Sequence, residues 1–208
     1  ARKASGRPIT SNSNGMVNPV AEVGAALRGS QAIYLLDACQ AVGQMPVDVE
    51  RIGCDLLSGA GRKFLRGPRG TGFLYVRRSV LDRIEPPVID IHAAQWTGRD
   101  TFTWRPDARR FEQNEFNVAD RLGMGAAVDH ALSWGLDAIE ERILGLSTLL
   151  RERLIGIPGV QVRDQGTRPS GINTFTIEGR DLAALLLKLR KQGINTSVTN
   201  FDWAWLDL

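Results

Sequence analysis

Asp37 and Lys63 are the residues of this chain whose type and spacing most directly suggest chemistry. The carboxylate closes the apolar run Ala32-Ile33-Tyr34-Leu35-Leu36-Asp37, and the amine follows Asp55-Leu56-Leu57-Ser58-Gly59-Ala60-Gly61-Arg62. Each therefore ends a segment that reads as an apolar strand. A carboxylate that keeps an aromatic ring nitrogen protonated, one strand from a lysine able to form a Schiff base, suits a cofactor that carries both a pyridine and an aldehyde. Taken singly, either residue has an ordinary explanation, because Asp at a strand end caps helices and turns, and lysines beside glycine and proline are solvated.

The surrounding residues give the pair its weight. Leu36-Asp37-Ala38-Cys39-Gln40-Ala41-Val42, Pro46-Val47-Asp48-Val49, Cys54-Asp55, Gly61-Arg62-Lys63 and Gly67-Pro68-Arg69-Gly70-Thr71-Gly72-Phe73-Leu74-Tyr75-Val76 follow one another in this order. Together they resemble the central signature of the class V aminotransferase-like family of pyridoxal 5'-phosphate enzymes, which includes cysteine desulfurases and isopenicillin N epimerase-like proteins. Ser11-Asn12, Gly15 and Asn18-Pro19 are similar to the segment that precedes this signature.

The resemblance implies an α/β chain of the PLP-dependent transferase fold (fold type I). Residues 1–116 are expected to form part of the mixed-sheet large domain. Residues 117–208 would supply the connecting helices and an incomplete small C-terminal α/β domain. Family members are longer at both ends, so the chain is expected to lack an N-terminal region and a C-terminal end. The resemblance further assigns Lys63 to the Schiff base and Asp37 to the pyridine nitrogen. Asn12 and Gln40 match positions at the phenolic-oxygen side of the ring, and Arg62 falls where the phosphate is contacted. A carboxylate buried at Asp37 would need the protonated ring nitrogen as its partner.

Two departures stand out. Ala60 occupies a position where the family carries a hydroxyl directed at the phosphate. Arg110-Phe111-Glu112-Gln113-Asn114-Glu115 begins like the family's Arg-Phe-Glu turn but lacks the Gly-Thr usual after it, so it is left out of the expected site.

The reaction implied is one at Cα or Cβ of a small amino-acid substrate. The segment Gly193–Trp203 has no cysteine, and Cys39 reads as a packing residue at the strand end. A carbon–sulfur lyase or desulfurase-like activity without a protein persulfide is therefore expected ahead of an aminotransferase or epimerase. A catalytically silent domain of the same fold is the reading from another class.

Composition limits the remaining possibilities. With 43% hydrophobic and 24% charged residues, the 208-residue chain is an ordinary globular one with a core. No stretch approaches the apolar length of a membrane span, and the first residues lack the apolar heart of a signal peptide, so a cytoplasmic protein is expected. Cys39 and Cys54, His92 and His130 show no ligand spacing, and no metal is expected. The basic cluster Arg62, Lys63, Arg66, Arg69, Arg77 and Arg78 has no interleaved stacking aromatics, so nucleic acid is not expected as a partner. The resemblance implies a homodimer.

Periodicity places the elements that must position these groups. Helices are expected at Val20–Leu27, at Ser79–Ile84, from Asn117 onward, at about Leu136–Leu154 and at Asp181–Lys191. Strands are expected at Ala32–Asp37, Asp55–Ser58, Gly72–Val76, Gly159–Val162, Ile172–Ile177 and Ile194–Val198, with a short turn or helix at Val47–Ile52. The residues up to Pro19 read as loop with a strand entry, and Pro86–Arg110 as a long irregular stretch, a lid or an interface arm.

Overall fold

The computed structural model describes residues 4–11 and 14–199. They fall into two compact units. One comprises the chain up to Ile9 together with Pro19–Ile139, the other Thr10–Asn18 together with the chain from Glu140 onward.

The first unit is built on a four-stranded sheet of order β1-β2-β3-β4, with β1 at Ala4–Pro8, β2 at Ile33–Asp37, β3 at Leu56–Ala60 and β4 at Gly72–Val76. β1, β2 and β3 run parallel and β4 is antiparallel to β3. Parallel strands require crossovers, which α1 (Val20–Leu27) and α2 (Val49–Ile52) help to provide. β2 lies between two parallel neighbours, where strands read as continuous apolar runs. Tyr34 and Leu36 are accordingly 1% and 0% exposed. Tyr34 also donates its phenolic hydroxyl to Val20 O at 3.1 Å, which ties β2 to α1.

The crossover from β2 to β3 is fixed by polar groups. Asp48 caps α2 by accepting from the backbone N–H of Glu50 and Arg51 at 2.9 and 3.0 Å, and Gly53 closes the helix with a φ of 74°. Arg77, just past β4, forks onto Glu50 at 2.9 and 3.0 Å and donates to Cys54 O. Gly24 lets α1 approach α2, since a Cβ there would lie 1.8 Å from Ile52 O.

After a 3₁₀ turn at Arg78–Arg83, the segment expected to be irregular contains an antiparallel hairpin, β5 (Ala94–Gly98) and β6 (Thr101–Trp104). Gly98-Arg99-Asp100 between Trp96-Thr97 and Thr101-Phe102-Thr103-Trp104 is a turn between β-formers, a signal that the length of the stretch masked. Arg110 anchors the chain just beyond the hairpin: it is 5% exposed and donates to Arg105 O at 2.8 Å and Leu81 O at 3.2 Å. The Arg-Phe-Glu turn thus holds the fold together. α3 (Val118–Trp134), capped by Asn117, completes this unit, and α4 (Leu136–Ile155) begins in it.

The second unit contains the rest of α4, a two-stranded antiparallel pair β7 (Val160–Val162) and β8 (Phe175–Ile177), and α5 (Leu182–Lys191). Arg151 of α4 pairs with Asp164 and donates to Ser147 Oγ, Ser170 O and Ile172 O, while Asp164 accepts from the backbone and hydroxyl of Thr174. The short segment of this unit before α1 is held by Val17 N to Arg168 O and Ser170 N to Gly15 O, each 2.9 Å. Residues 194–199 form no strand, contrary to the sequence expectation, and no strand among the described residues offers them a ladder. The opening residues, expected as loop with a strand entry, form β1; its Ser-Gly-Arg core lacks strand character, and the pairing with β2 supplies it.

Candidate active site

Asp37 is the last residue of β2 and sits in register with Pro8 on one side and Ser58 on the other. Its carbonyl accepts from Ile9 N at 2.8 Å, and Ala38 N donates to Ser58 O at 2.9 Å, so the strand end is held from both neighbours. The carboxylate was expected to be buried, but Asp37 is exposed. At this strand end water can reach and solvate the charge. Its Oδ1 accepts from Cys39 N at 2.8 Å, and among the described residues no salt bridge engages it.

Beyond Asp37 the chain turns tightly on Ala38 and Ala41, both fully buried, with Ala41 N and Val42 N donating to Ala38 O. Small side chains are needed there because the turn packs into the core. Gln40 lies in this turn, half-buried, and its carbonyl accepts from the buried Gln44 side chain at 2.6 Å.

Lys63 lies past the end of β3, in the connection that leads back through β4, and not on the strand itself. That connection is closed by Gly61 N to Thr71 O at 2.9 Å, Gly67 N to Gly61 O at 2.7 Å, Arg66 N to Lys63 O at 2.9 Å and Thr71 Oγ to Pro68 O at 2.7 Å. α3 packs against it through small residues: a Cβ on Gly123 would lie 2.9 Å from Pro68 Cγ, and one on Gly61 would lie 3.2 Å from Met124 Sδ. Lys63 is half-buried and Arg62 exposed. Among the described residues, no hydrogen bond or ion pair engages the Lys63 ammonium. Asn12 lies outside the described residues. Ala60 and Ser58 share the half-buried face of β3, two residues apart.

Cys39 shows that the two strand ends share one environment. Its Sγ lies 4.0 Å from Ser58 O and from Ser58 Oγ. Burial pushes the thiol up from its ordinary value, as do the hydrogen bond and charge of Asp37; the Ser58 hydroxyl and the charge of Lys63 act the other way. Asp37 and Lys63 are thus both close enough to act on one sulfur. Cys54 is fully buried, and its thiol is also pushed up, chiefly by burial.

Asp37 ends β2, and Arg62 and Lys63 follow the end of β3, the parallel strand beside it, at the strand ends where open α/β sheets bind ligands. This donor set fits a cofactor with a protonated ring nitrogen, an aldehyde and a phosphate. A separate cleft of about 470 Å³, lined by Arg78, Leu81, Asp82, Trp104 and Arg110 among others, contains none of these residues.

The mixed sheet with its ligand groups at the strand ends is the large-domain sheet of the fold type I, PLP-dependent transferases. The solved apo structure of a cysteine desulfurase from Thermococcus onnurineus superposes with a TM-score of 0.82 at 26% identity, covering 93% of this chain and 48% of that one. The family profile described as Aminotransferase class-V matches residues 8–198, and the chain belongs to that family. Pyridoxal 5'-phosphate is the cofactor of that family. A probable cysteine desulfurase of Halalkalibacterium halodurans is 33% identical over 85% of the chain, and one of Methanothermobacter thermautotrophicus is 31% identical over 82%. The chain spans 44% and 43% of the length of these two relatives.

Gly43 and Arg66 had no place in the sequence reading of the site, although both bear on how Lys63 is held. Only the backbone could reveal them, through a positive φ at each.

Proposed function

We propose that this chain supplies the Asp37–Lys63 part of a pyridoxal-phosphate site in an enzyme that cleaves a carbon–sulfur bond of a small amino acid without forming a persulfide on this chain. The observation that carries the reading is the placement of Asp37 and Lys63 at the ends of adjacent parallel strands, both acting on the Cys39 thiol. The cofactor, when bound, supplies an electron sink for the bond broken at Cα.

The protein's residues do the rest. Asp37 holds the ring nitrogen protonated, Gln40 and Asn12 address the phenolic oxygen, and Arg62 faces the phosphate. Lys63 would hold the cofactor covalently, and its amine is the base that would take the proton from Cα. In a β-elimination the electron pair of that C–H bond forms the Cα–Cβ double bond. The Cβ–S bond breaks, and the sulfur leaves with its electron pair and picks up a proton.

The cysteines support release of sulfur without its capture on this chain. A sulfur acceptor must be a mobile thiolate. Cys54 is fully buried, and burial and Asp37 push the Cys39 thiol up from its ordinary value, away from the thiolate. Such an enzyme works as a cytoplasmic homodimer on a free amino acid, apart from nucleic acid and membranes. The exposed Trp96 and Phe102 of the β5–β6 hairpin and Leu122 and Trp134 of α3 support a second subunit. No helix among the described residues is long and apolar enough to cross a membrane.

The test is sulfide release from cysteine or cystine by the full-length protein carrying Cys39→Ser and Cys54→Ser together. The double variant is expected to keep most of the wild-type rate. Loss of the activity with the fold intact, together with a persulfide on either cysteine by mass spectrometry in the wild type, would overturn the reading.

A further inference from the structure

The turn that carries Gln40 and the turn that carries Lys63 approach backbone to backbone at Gly43. A Cβ on Gly43 would lie 2.6 Å from Leu65 N, 2.7 Å from Phe64 C and 2.8 Å from Phe64 O. None of these is the flexible end of a side chain, so the contact cannot relax by a rotamer change. Gly43 also has a φ of 85°, which disfavours any L side chain there.

Three residues after Lys63 lies Arg66, the one non-glycine residue with a positive φ among the described residues, at 60°. Its side chain is exposed, and no hydrogen bond or ion pair accounts for that conformation among the described residues. The backbone does account for it. Arg66 closes a turn with its own N–H on Lys63 O at 2.9 Å, and its left-handed conformation then brings the next N–H, that of Gly67, to Gly61 O at 2.7 Å. Lys63 is therefore followed by two backbone constraints, a close contact one residue after it and a left-handed residue three after it. Leu65, between them, is 7% exposed and anchors the turn in the core.

We propose that Gly43 and Arg66 are positioning residues for Lys63: Gly43 seats the Lys63 turn against the Gln40 turn, and Arg66 acts through its backbone conformation and not through its charge. This rests on the reading of Lys63 as the residue that holds the cofactor. A site of that kind tolerates little displacement, since about 1 Å of misplacement costs up to about 100-fold in rate.

The test uses the full-length protein, stripped of cofactor and mixed with pyridoxal phosphate. The readouts are the rate at which a borohydride-trappable link to Lys63 forms and the pH midpoint of the bound cofactor's visible absorbance. Gly43→Ala is compared with Gly53→Ala. Gly53 has a similar φ of 74° but nothing within 4 Å of its Cβ position, so this control carries the backbone strain without the contact. Gly43→Ala is expected to slow link formation by about 10- to 100-fold and to move the midpoint, whereas Gly53→Ala leaves both at the wild-type values.

Arg66→Asn and Arg66→Val give an independent comparison should Gly43→Ala fail to fold. Both remove the charge, but Asn accepts a left-handed conformation and a β-branched residue does not. The Asn variant is expected to match the wild type and the Val variant to lose rate and shift the midpoint. Wild-type readouts in both Gly43→Ala and Arg66→Val would overturn the proposal, as would equal losses in Arg66→Asn and Arg66→Val, which would assign the effect to the guanidinium. Absence of any link in the wild type would overturn the reading of the site itself, and this inference with it.

Discussion

The backbone N–H of Cys39 donates to Oδ1 of Asp37 at 2.8 Å, so the carboxylate is oriented by the residue two places after it in its own turn. Cys39 is in turn held by Asp37, whose hydrogen bond and charge both push its thiol up. The pair forms a local unit at the mouth of the sheet and makes the state of Asp37 readable through the reactivity of Cys39.

Asp37→Asn is expected to speed alkylation of Cys39 by iodoacetamide in the cofactor-free protein, because it removes the negative charge that disfavours the thiolate. Cys54, fully buried, stays slow in both forms. In the holoenzyme the same change is expected to lower turnover far more than cofactor affinity, since an amide cannot hold the ring nitrogen protonated by charge. Alkylation rates mapped by mass spectrometry and steady-state kinetics check the two parts.

Stability is expected to fall as pH drops from about 4, the carboxyl value of an unfolded chain. Asp107 is lowered to about 2, mainly by its hydrogen bond from Arg109. Asp90 is lowered by the backbone N–H of Asn114 and, less, by those of His92 and Ala93; Asp48 is lowered by those of Arg51 and Glu50. With folded values depressed, the unfolded chain binds more protons, so the contribution is present above pH 4 and lost as pH falls through the folded values. Thermal unfolding followed from pH 6 to pH 2 measures it, and Asp107→Asn is expected to flatten the acid limb.

Leu36→Ala removes a fully buried side chain next to Asp37 in the central strand of the sheet. A buried Leu→Ala change costs about 2–5 kcal/mol, and urea unfolding is expected to show a loss in that range. Leu74→Ala, on the exposed part of β4, is expected to cost much less.

Strands β2, β3 and β4 were legible because their physics is local. The run Ile33–Leu36 is apolar on both faces, as a strand between parallel neighbours must be, and β4 and α1 fell at the positions that their periodicity and flanking turns indicate. What was not legible depends on partners distant in sequence. β1 gains its strand character from pairing with β2, and Ile194–Val198 lacks it for want of a partner. The exposure of Asp37 belongs to its place at the end of β2, which an apolar run does not announce. Gly43 and Arg66 were invisible for a similar reason: their roles lie in backbone conformation, and arginine in particular gives no sign of a positive φ.

The central claim is that Lys63 holds the cofactor. The direct measurement is borohydride reduction of the full-length protein loaded with pyridoxal phosphate, followed by peptide mapping. The other lysines of the chain are Lys3, Lys188 and Lys191, and the last two are exposed on α5. The account predicts the cofactor mass on the peptide containing Lys63 and its loss in Lys63→Ala. Labelling of another lysine at full occupancy, with Lys63 unmodified, would contradict it.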